Sequence, residues 1–188
     1  MGLNLPDLYL LRHGQTEWNR LGRLQGRLDS ALTDLGHAQA TRQAELVARL
    51  PAQMARFSSP AGRAVATARI VFGPRPFLQD ARLHEIDIGD FTGATEAMLR
   101  ADHPQLFADG GIAWYDRAPK GEGFAALEAR VRDFLTDLRG PAIIVTHGMT
   151  LRMLIAVATK RSAAQMDQIQ MTQGALHHIG ASGHRILR

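Results

Sequence analysis

Short apolar runs that stop at polar residues alternate along the chain with longer stretches of helical spacing. Leu8 to Leu11 is apolar and ends at Arg12-His13-Gly14, which predicts a buried strand breaking into a loop. Ala31 to Leu50 reads as a helix, with Thr33 as its N-cap and Leu35, Ala38, Ala44 and Leu46 to Leu50 supplying much of an apolar face. Met54 to Ser59 is a second predicted strand, stopped by Pro60, and Gly62 to Phe72 resumes helical spacing through Val65, Ala68, Ile70 and Val71. Phe77-Leu78 reads as a third short strand. Ala94 to Asp102 and Glu122 to Leu138 have helical character and are separated by a glycine-rich loop around Gly110-Gly111. Pro141 to Thr146 is the clearest buried strand; His147-Gly148 ends it, and Met149 to Thr159 is helical. Ala175 to Ile179 and Arg185 to Leu187 flank Gly180 and Gly183 as a closing hairpin. With no repeat, low-complexity segment or linker, this alternation predicts a single α/β layered domain over residues 1–188 with a largely parallel sheet.

A chain of 188 residues is long enough to bury a real core. The net charge of +4 is supplied almost wholly by arginine, since Lys120 and Lys160 are the only lysines. These arginines are spread out, whereas a nucleic-acid binder concentrates basic residues in a run or stripe, so no nucleic-acid partner is expected. The other use of scattered arginines is convergence on a small anion. The absence of cysteine removes disulfides, thiolate metal sites and a cysteine nucleophile together. The opening Met1 to Pro6 lacks a basic-then-apolar leader, and Pro6 stands where a myristoylation signal wants Ser or Thr. Ala142 to Val145 and Met153 to Ala158, the longest apolar stretches, are too short to span a bilayer, so a cytoplasmic protein without membrane partners is expected.

Three strands stop at chemically useful residues: Arg12-His13-Gly14, Ser58-Ser59-Pro60 with Arg63 just beyond, and Thr146-His147-Gly148. Parallel strands deliver the loops at their carboxyl ends to one rim, where ligands bind. His13, His147, Arg12 and Arg63 would then meet, and two imidazoles with two guanidinium forks describe a phosphate site. A neutral imidazole can attack phosphorus, and fixed cationic donors stabilise the charge that moves during transfer. Gly14 and Gly148 would leave backbone close to the histidines without a Cβ, and a carbonyl there would hold the attacking tautomer. A leaving alkoxide needs a proton, which a carboxyl beside a dianion can supply. Glu85 is the best candidate, although spacing alone does not separate it from Glu17, Asp87 or Glu122.

Each residue also has an ordinary structural explanation: a lone buried histidine after a strand, a helix-face arginine, a solvated glutamate. The matching stops favour the functional explanation for the set. His177, His178 and His184 have no metal-ligand spacing and read as strand-surface histidines, and no metal or cofactor is expected. Trp18 and Trp114 read as packing residues. A Gly-x-Ser-x-Gly elbow and a P-loop are both absent.

The pattern resembles the histidine phosphatase superfamily, the phosphoglycerate mutase-like proteins. The likeness runs through Leu11 to Asn19 (Leu-Arg-His-Gly-Gln-Thr-Glu-Trp-Asn), Gln25-Gly26 with Asp29, and Leu32-Thr33-Asp34-Leu35-Gly36. It continues in Ser58 to Ala64, Thr67-Ala68, Leu83-His84-Glu85-Ile86 and Val145 to Gly148. The resemblance implies a three-layer α/β/α sandwich and a phosphohistidine at His13. It further implies that Arg12, Arg63 and His147 with Gly148 complete the phosphate pocket and that Glu85 serves as proton donor and then base. Asn19 would line the same pocket with Gln25 nearby, and no metal would be required.

Departures fall where substrates are selected. The family's Phe-Gly-x-Trp-Glu-Gly appears as Ile88-Gly89-Asp90-Phe91-Thr92-Gly93, and its Gly-Glu-Ser as Gly121-Glu122-Gly123, without the hydroxyl. Phosphoglycerate mutases resemble this chain but carry a longer segment between the glutamate and second histidine motifs, with tandem arginines for the substrate carboxylate. Arg-Arg does not occur here, and only Arg100, Arg117 and Lys120 offer substitutes. Hydrolysis of a small phosphate monoester is therefore the favoured activity, with mutase-type phosphotransfer or a non-catalytic phosphate-binding module as alternatives. The segment Phe91 to Phe124 is expected to cover the pocket and choose the alcohol. Neither the alcohol nor the oligomeric state is encoded legibly.

Overall fold

The computed structural model describes residues 5–188; Met1 to Asn4, on which most of the amino-terminal expectation rests, lie outside the described residues. The sheet has six strands: β1 (Leu8–Arg12), β2 (Ala55–Ser58), β3 (Leu78–Gln79), β4 (Ala142–Thr146), β5 (Leu176–Gly180) and β6 (Gly183–Leu187). Their spatial order is β3-β2-β4-β1-β5-β6. The first four of these neighbours pair in parallel, and β5 and β6 close the edge as an antiparallel hairpin.

The helices are α1 (Glu17–Arg20), α2 (Asp34–Ala48), α3 (Gly62–Phe72), α4 (Glu96–Asp102), α5 (Gly123–Asp137) and α6 (Gly148–Ala158). Successive strand residues face opposite ways, so β1 feeds two cores at once. Leu8 and Leu10, with Ala142 and Ile144 of β4, pack among residues of α5 and α6. Tyr9 and Leu11, with Ile143 and Val145, pack among residues of α2 and α3. Both central strands are thus apolar on both faces, as parallel strands between helical layers require. The result is the expected α/β/α sandwich. Burial of each leucine of β1 contributes about 1.5–3 kcal/mol.

Helix α2 begins three residues later than the apolar pattern indicated, because Thr33 is its cap: the hydroxyl accepts from Gly36 N–H. Its buried face also differs. Leu35 is 52% exposed and Ala38 is exposed, while Ala40, Gln43, Leu46 and Val47 are buried. A buried glutamine escaped the apolar count because the fold gives its amide nitrogen two acceptors, Arg12 O and Ala175 O, while its Oε1 has no partner among the described residues. His177 and His178 are buried rather than strand-surface residues. His177 pairs with His184 at 3.0 Å, and His178 stacks on Tyr9. Trp114 is buried, as expected of a packing residue. No helix among the described residues is long and apolar enough to cross a membrane.

Candidate active site

The register of the sheet brings the three strand stops together. Arg12 is opposite Thr146 across the β1–β4 ladder, and Ser58 is opposite Val145 across β2–β4. Beyond the strands, His13 N–H donates to Thr146 O and Ser59 N–H donates to Val145 O, both at 2.9 Å. His13, Ser59 and His147 therefore leave the sheet at one level. The rings of His13 and His147 meet edge to face, with centroids 5.2 Å apart.

His13 is 3% exposed and its Nδ1 lies 2.7 Å from Gly14 O. A carbonyl only accepts, so Nδ1 carries the proton and Nε2 presents its lone pair. Arg63 Nε donates to that Nε2 at 3.3 Å. Burial first, and then the charges of Arg12 and Arg63, push the His13 imidazole well below its ordinary pKa of 6.5, against the opposing Gly14 contact. The ring is neutral at physiological pH.

Arg63 leaves the first turn of α3 and is 2% exposed. Its Nη1 donates to Leu28 O and Asp29 Oδ1, and its Nη2 to Gly26 O. Most of its fork is therefore engaged by the 26–29 loop. Arg12 differs: its Nε is buried without a hydrogen-bond partner among the described residues. It is the guanidinium with capacity to spare.

His147 is fully buried and its Nε2 lies 2.7 Å from Ser59 Oγ. That oxygen also accepts from Ala61 N–H, and His147 Nδ1 has no partner among the described residues. Burial, then Arg63 and His13, push this imidazole too well below 6.5.

Glu85 sits against the amino terminus of α6. Its Oε1 accepts from Ile86 N–H (3.0 Å), Thr150 N–H (3.1 Å) and Met149 N–H (3.2 Å), and its Oε2 from Met149 N–H (3.2 Å). Free N–H groups at a helix start favour an acidic side chain there. The rival carboxylates lie elsewhere. Glu17 pairs with Arg20 at the surface, Asp87 accepts from Gly89 N–H, and Glu122 pairs with Arg130 and Arg27.

A cavity of about 120 Å³ connects these groups. Arg12, His13, Asn19, Gln25, Arg63 and Glu85 all line it, together with Leu24, Gly26, Ile86, Ile88 and Tyr115. His147 and Gly148 are not among its lining residues; the His147 ring touches that of His13, and a Cβ on Gly148 would stand 3.6 Å from Arg12 and 3.7 Å from Glu85. Asn19 Oδ1 accepts from Thr16 N–H, closing the capping box of α1, while the Gln25 amide donates to Thr16 Oγ1 and accepts from Ser30. The Gly14 carbonyl is the group that meets His13 Nδ1, and the missing side chain has a purpose of its own: a Cβ there would collide with the backbone of Gly36 at the start of α2.

Three contributors were missed. Ser59 belongs to a quoted motif, but nothing in its spacing announces a histidine partner. Gln173 donates to His13 O (3.3 Å) from far along the chain without any local signal. Tyr115 comes from the segment expected to cover the pocket. The possible carboxylate ligands are already paired: Arg100 with Glu96, Arg117 with Asp109 and Lys120 with Asp90.

The histidine phosphatase superfamily (branch 1) profile matches residues 8–187. Glucosyl-3-phosphoglycerate phosphatase of Mycobacterium tuberculosis is 33% identical over 177 residues, 84% of this chain and 77% of the relative. A Serratia proteamaculans protein named "Probable phosphoglycerate mutase GpmB" is 32% identical over 187 residues, 92% of this chain and 84% of the relative. The crystal structure of the alpha-ribazole phosphatase from Shigella flexneri superposes with a TM-score of 0.82 at 27% identity, covering 96% of this chain and 94% of that one. With its ordered motifs and a family match over nearly its whole length, the chain belongs to the histidine phosphatase superfamily.

Proposed function

We propose that the protein is a metal-independent phosphatase that hydrolyses small phosphate monoesters by two displacements on His13. The observation that carries this is the fixed tautomer of His13: Nδ1–H is held by Gly14 O, and the Nε2 lone pair is presented in the cavity that Glu85 shares. In the first step Nε2 attacks phosphorus in line, and the bond from phosphorus to the alcohol oxygen breaks. That oxygen takes a proton from the Glu85 carboxyl. In the second step Glu85 takes a proton from water as the water oxygen attacks phosphorus. The N–P bond breaks and its electrons return to Nε2.

Arg12, with its unengaged Nε, would stabilise the phosphoryl oxygens, and the His147 ring, edge to face with His13, would join it on the phosphoryl group once that group is carried by Nε2. Arg63 Nε would turn from the His13 lone pair to a phosphoryl oxygen as the N–P bond forms. Asn19 and Gln25 would complete the pocket, and Gly148 keeps side-chain bulk out of the gap between Arg12 and Glu85. Hydrolysis is favoured over mutase chemistry because the cavity is small and Arg100, Arg117 and Lys120 are paired away from it.

The test is hydrolysis of p-nitrophenyl phosphate in excess chelator. Turnover that disappears in His13→Ala, with an acid-labile phosphoryl label on the wild type that the variant lacks, is expected. Turnover that survives His13→Ala, or is abolished by the chelator, overturns the mechanism. A protein that binds phosphate without turnover would be a binding module.

A further inference from the structure

The wall of the cavity divides by chemistry. Its polar part is Arg12, His13 and Arg63, the carboxamides of Asn19 and Gln25, and Glu85. What remains is Leu24, Gly26, Ile86, Ile88 and Tyr115. Once the phosphoryl group and its proton donor are assigned, Tyr115 is the one side chain in that remainder with a polar atom. Its placement is enforced. It lies in the short 3₁₀ turn Ala113–Arg117, whose Trp114 is anchored in the core against Phe107 and Phe91. The Tyr115 ring itself stacks on Trp114 with centroids 3.8 Å apart.

We propose that Tyr115 is a specificity-determining residue that reads a hydroxyl on the carbon next to the ester carbon, and that the substrates are phosphate monoesters of small vicinal polyols. This rests on the phosphatase reading of the site. Tyr115 lines the same cavity as His13 and Glu85. With phosphorus at His13 and the ester oxygen at Glu85, the part of the alcohol that reaches Tyr115 in this cavity is its first carbons. Against Leu24, Ile86 and Ile88, an alcohol hydroxyl has the phenol as its partner, and a buried hydroxyl without one is costly. Burial and the nearby Glu85 carboxylate raise the phenol above its ordinary pKa. It therefore stays protonated and both donates and accepts.

Binding of two phosphonates that cannot be hydrolysed tests this directly. In 3,4-dihydroxybutylphosphonate and butylphosphonate a methylene replaces the ester oxygen, and only the first carries the vicinal hydroxyls. Titration calorimetry on the wild-type chain is expected to show the diol binding about tenfold more tightly, as one well-placed hydrogen bond gives. Tyr115→Phe, which keeps the stacked ring, should collapse that ratio toward one while leaving butylphosphonate binding within about twofold. Equal affinities in the wild type, a ratio unchanged in Tyr115→Phe, or parallel weakening of both ligands overturns the proposal. Preferential diol binding lost in Tyr115→Phe supports it even if no ester is turned over, whereas failure of both phosphonates to bind removes the phosphate site itself and the proposal with it.

Discussion

The Asp29 carboxylate holds Arg63 at two points, accepting its backbone N–H at 3.1 Å and its Nη1 at 3.0 Å. Helix α3 has Ala61 as its cap residue and hence no side-chain cap of its own, so an aspartate from a distant loop takes over that duty. The same carboxylate aims the guanidinium whose Nε meets His13. Asp29→Ala is expected to lower kcat by about tenfold, roughly 1.4 kcal/mol, and stability by about 1 kcal/mol through the lost cap. Asp29→Asn, which keeps an acceptor, should recover part of both. Steady-state kinetics and urea melts check this, and a variant with unaltered kcat would separate Asp29 from Arg63 function.

Ser59→Ala removes the partner of a fully buried imidazole nitrogen. An unsatisfied buried polar atom costs about 1–3 kcal/mol, and that loss should appear in denaturant melts. The His147 ring, which meets His13 edge to face, also loses the hydrogen bond that orients it. Activity should therefore fall further than the stability loss alone would produce under conditions where the variant remains folded.

Gly14→Ala and Gly36→Ala each drive a methyl group into backbone, at Gly36 and Gln15 respectively. Backbone cannot swing aside as a side-chain tip can, so each should cost at least about 2 kcal/mol. Gly140→Ala, with nothing within 4 Å and no positive φ, is the control and should shift stability by less than about 0.5 kcal/mol. Thermal melts of the three variants decide the matter.

His177 predicts a pH dependence. Burial first, and His184 next, push its pKa from 6.5 to about 4. The unfolded chain therefore binds a proton below 6.5 that the folded chain refuses until about 4. Stability contributed by the neutral ring is present above pH 6.5 and is lost as the pH falls across that window. In His177→Asn the slope of unfolding free energy against pH between 6 and 4.5 should be shallower by about one proton, ~1.4 kcal/mol per pH unit. An unchanged slope would refute the assignment. His13 and His147 act in the same direction, so the variant should retain some slope.

Much of this architecture was legible because strands and phosphate chemistry leave local marks. The apolar runs of β1 and β4 stop at His13 and His147, and a parallel sheet carries both stops to one rim whatever their separation. Thr33 marked its cap by type and position. Glu85 was identified as the best candidate, but what separates it from Asp87 and Glu122 is the register of α6, two of whose N–H groups hold it. No local spacing encodes that register. Gln43 misled the apolar count of α2 because its amide nitrogen finds carbonyls at Arg12 and Ala175, far away in sequence. Tyr115 was illegible for a related reason: short 3₁₀ turns have no sustained periodicity, and the direction of Tyr115 is set by Trp114 docking in the core.

The central position of β4 sets the order in which this protein comes into being. A nascent chain that has reached residue 140 already possesses Arg12, His13, Arg63 and Glu85, yet β1 and β2 have no strand to join them, and the acceptors for His13 N–H and Ser59 N–H do not exist. The helix donors to Glu85 arrive later still, with Met149 and Thr150. Insertion of that strand is a long-range closure event, slow compared with local helix formation. Competence on the ribosome should therefore switch on in one step after α6 emerges, rather than accumulate in proportion to chain length.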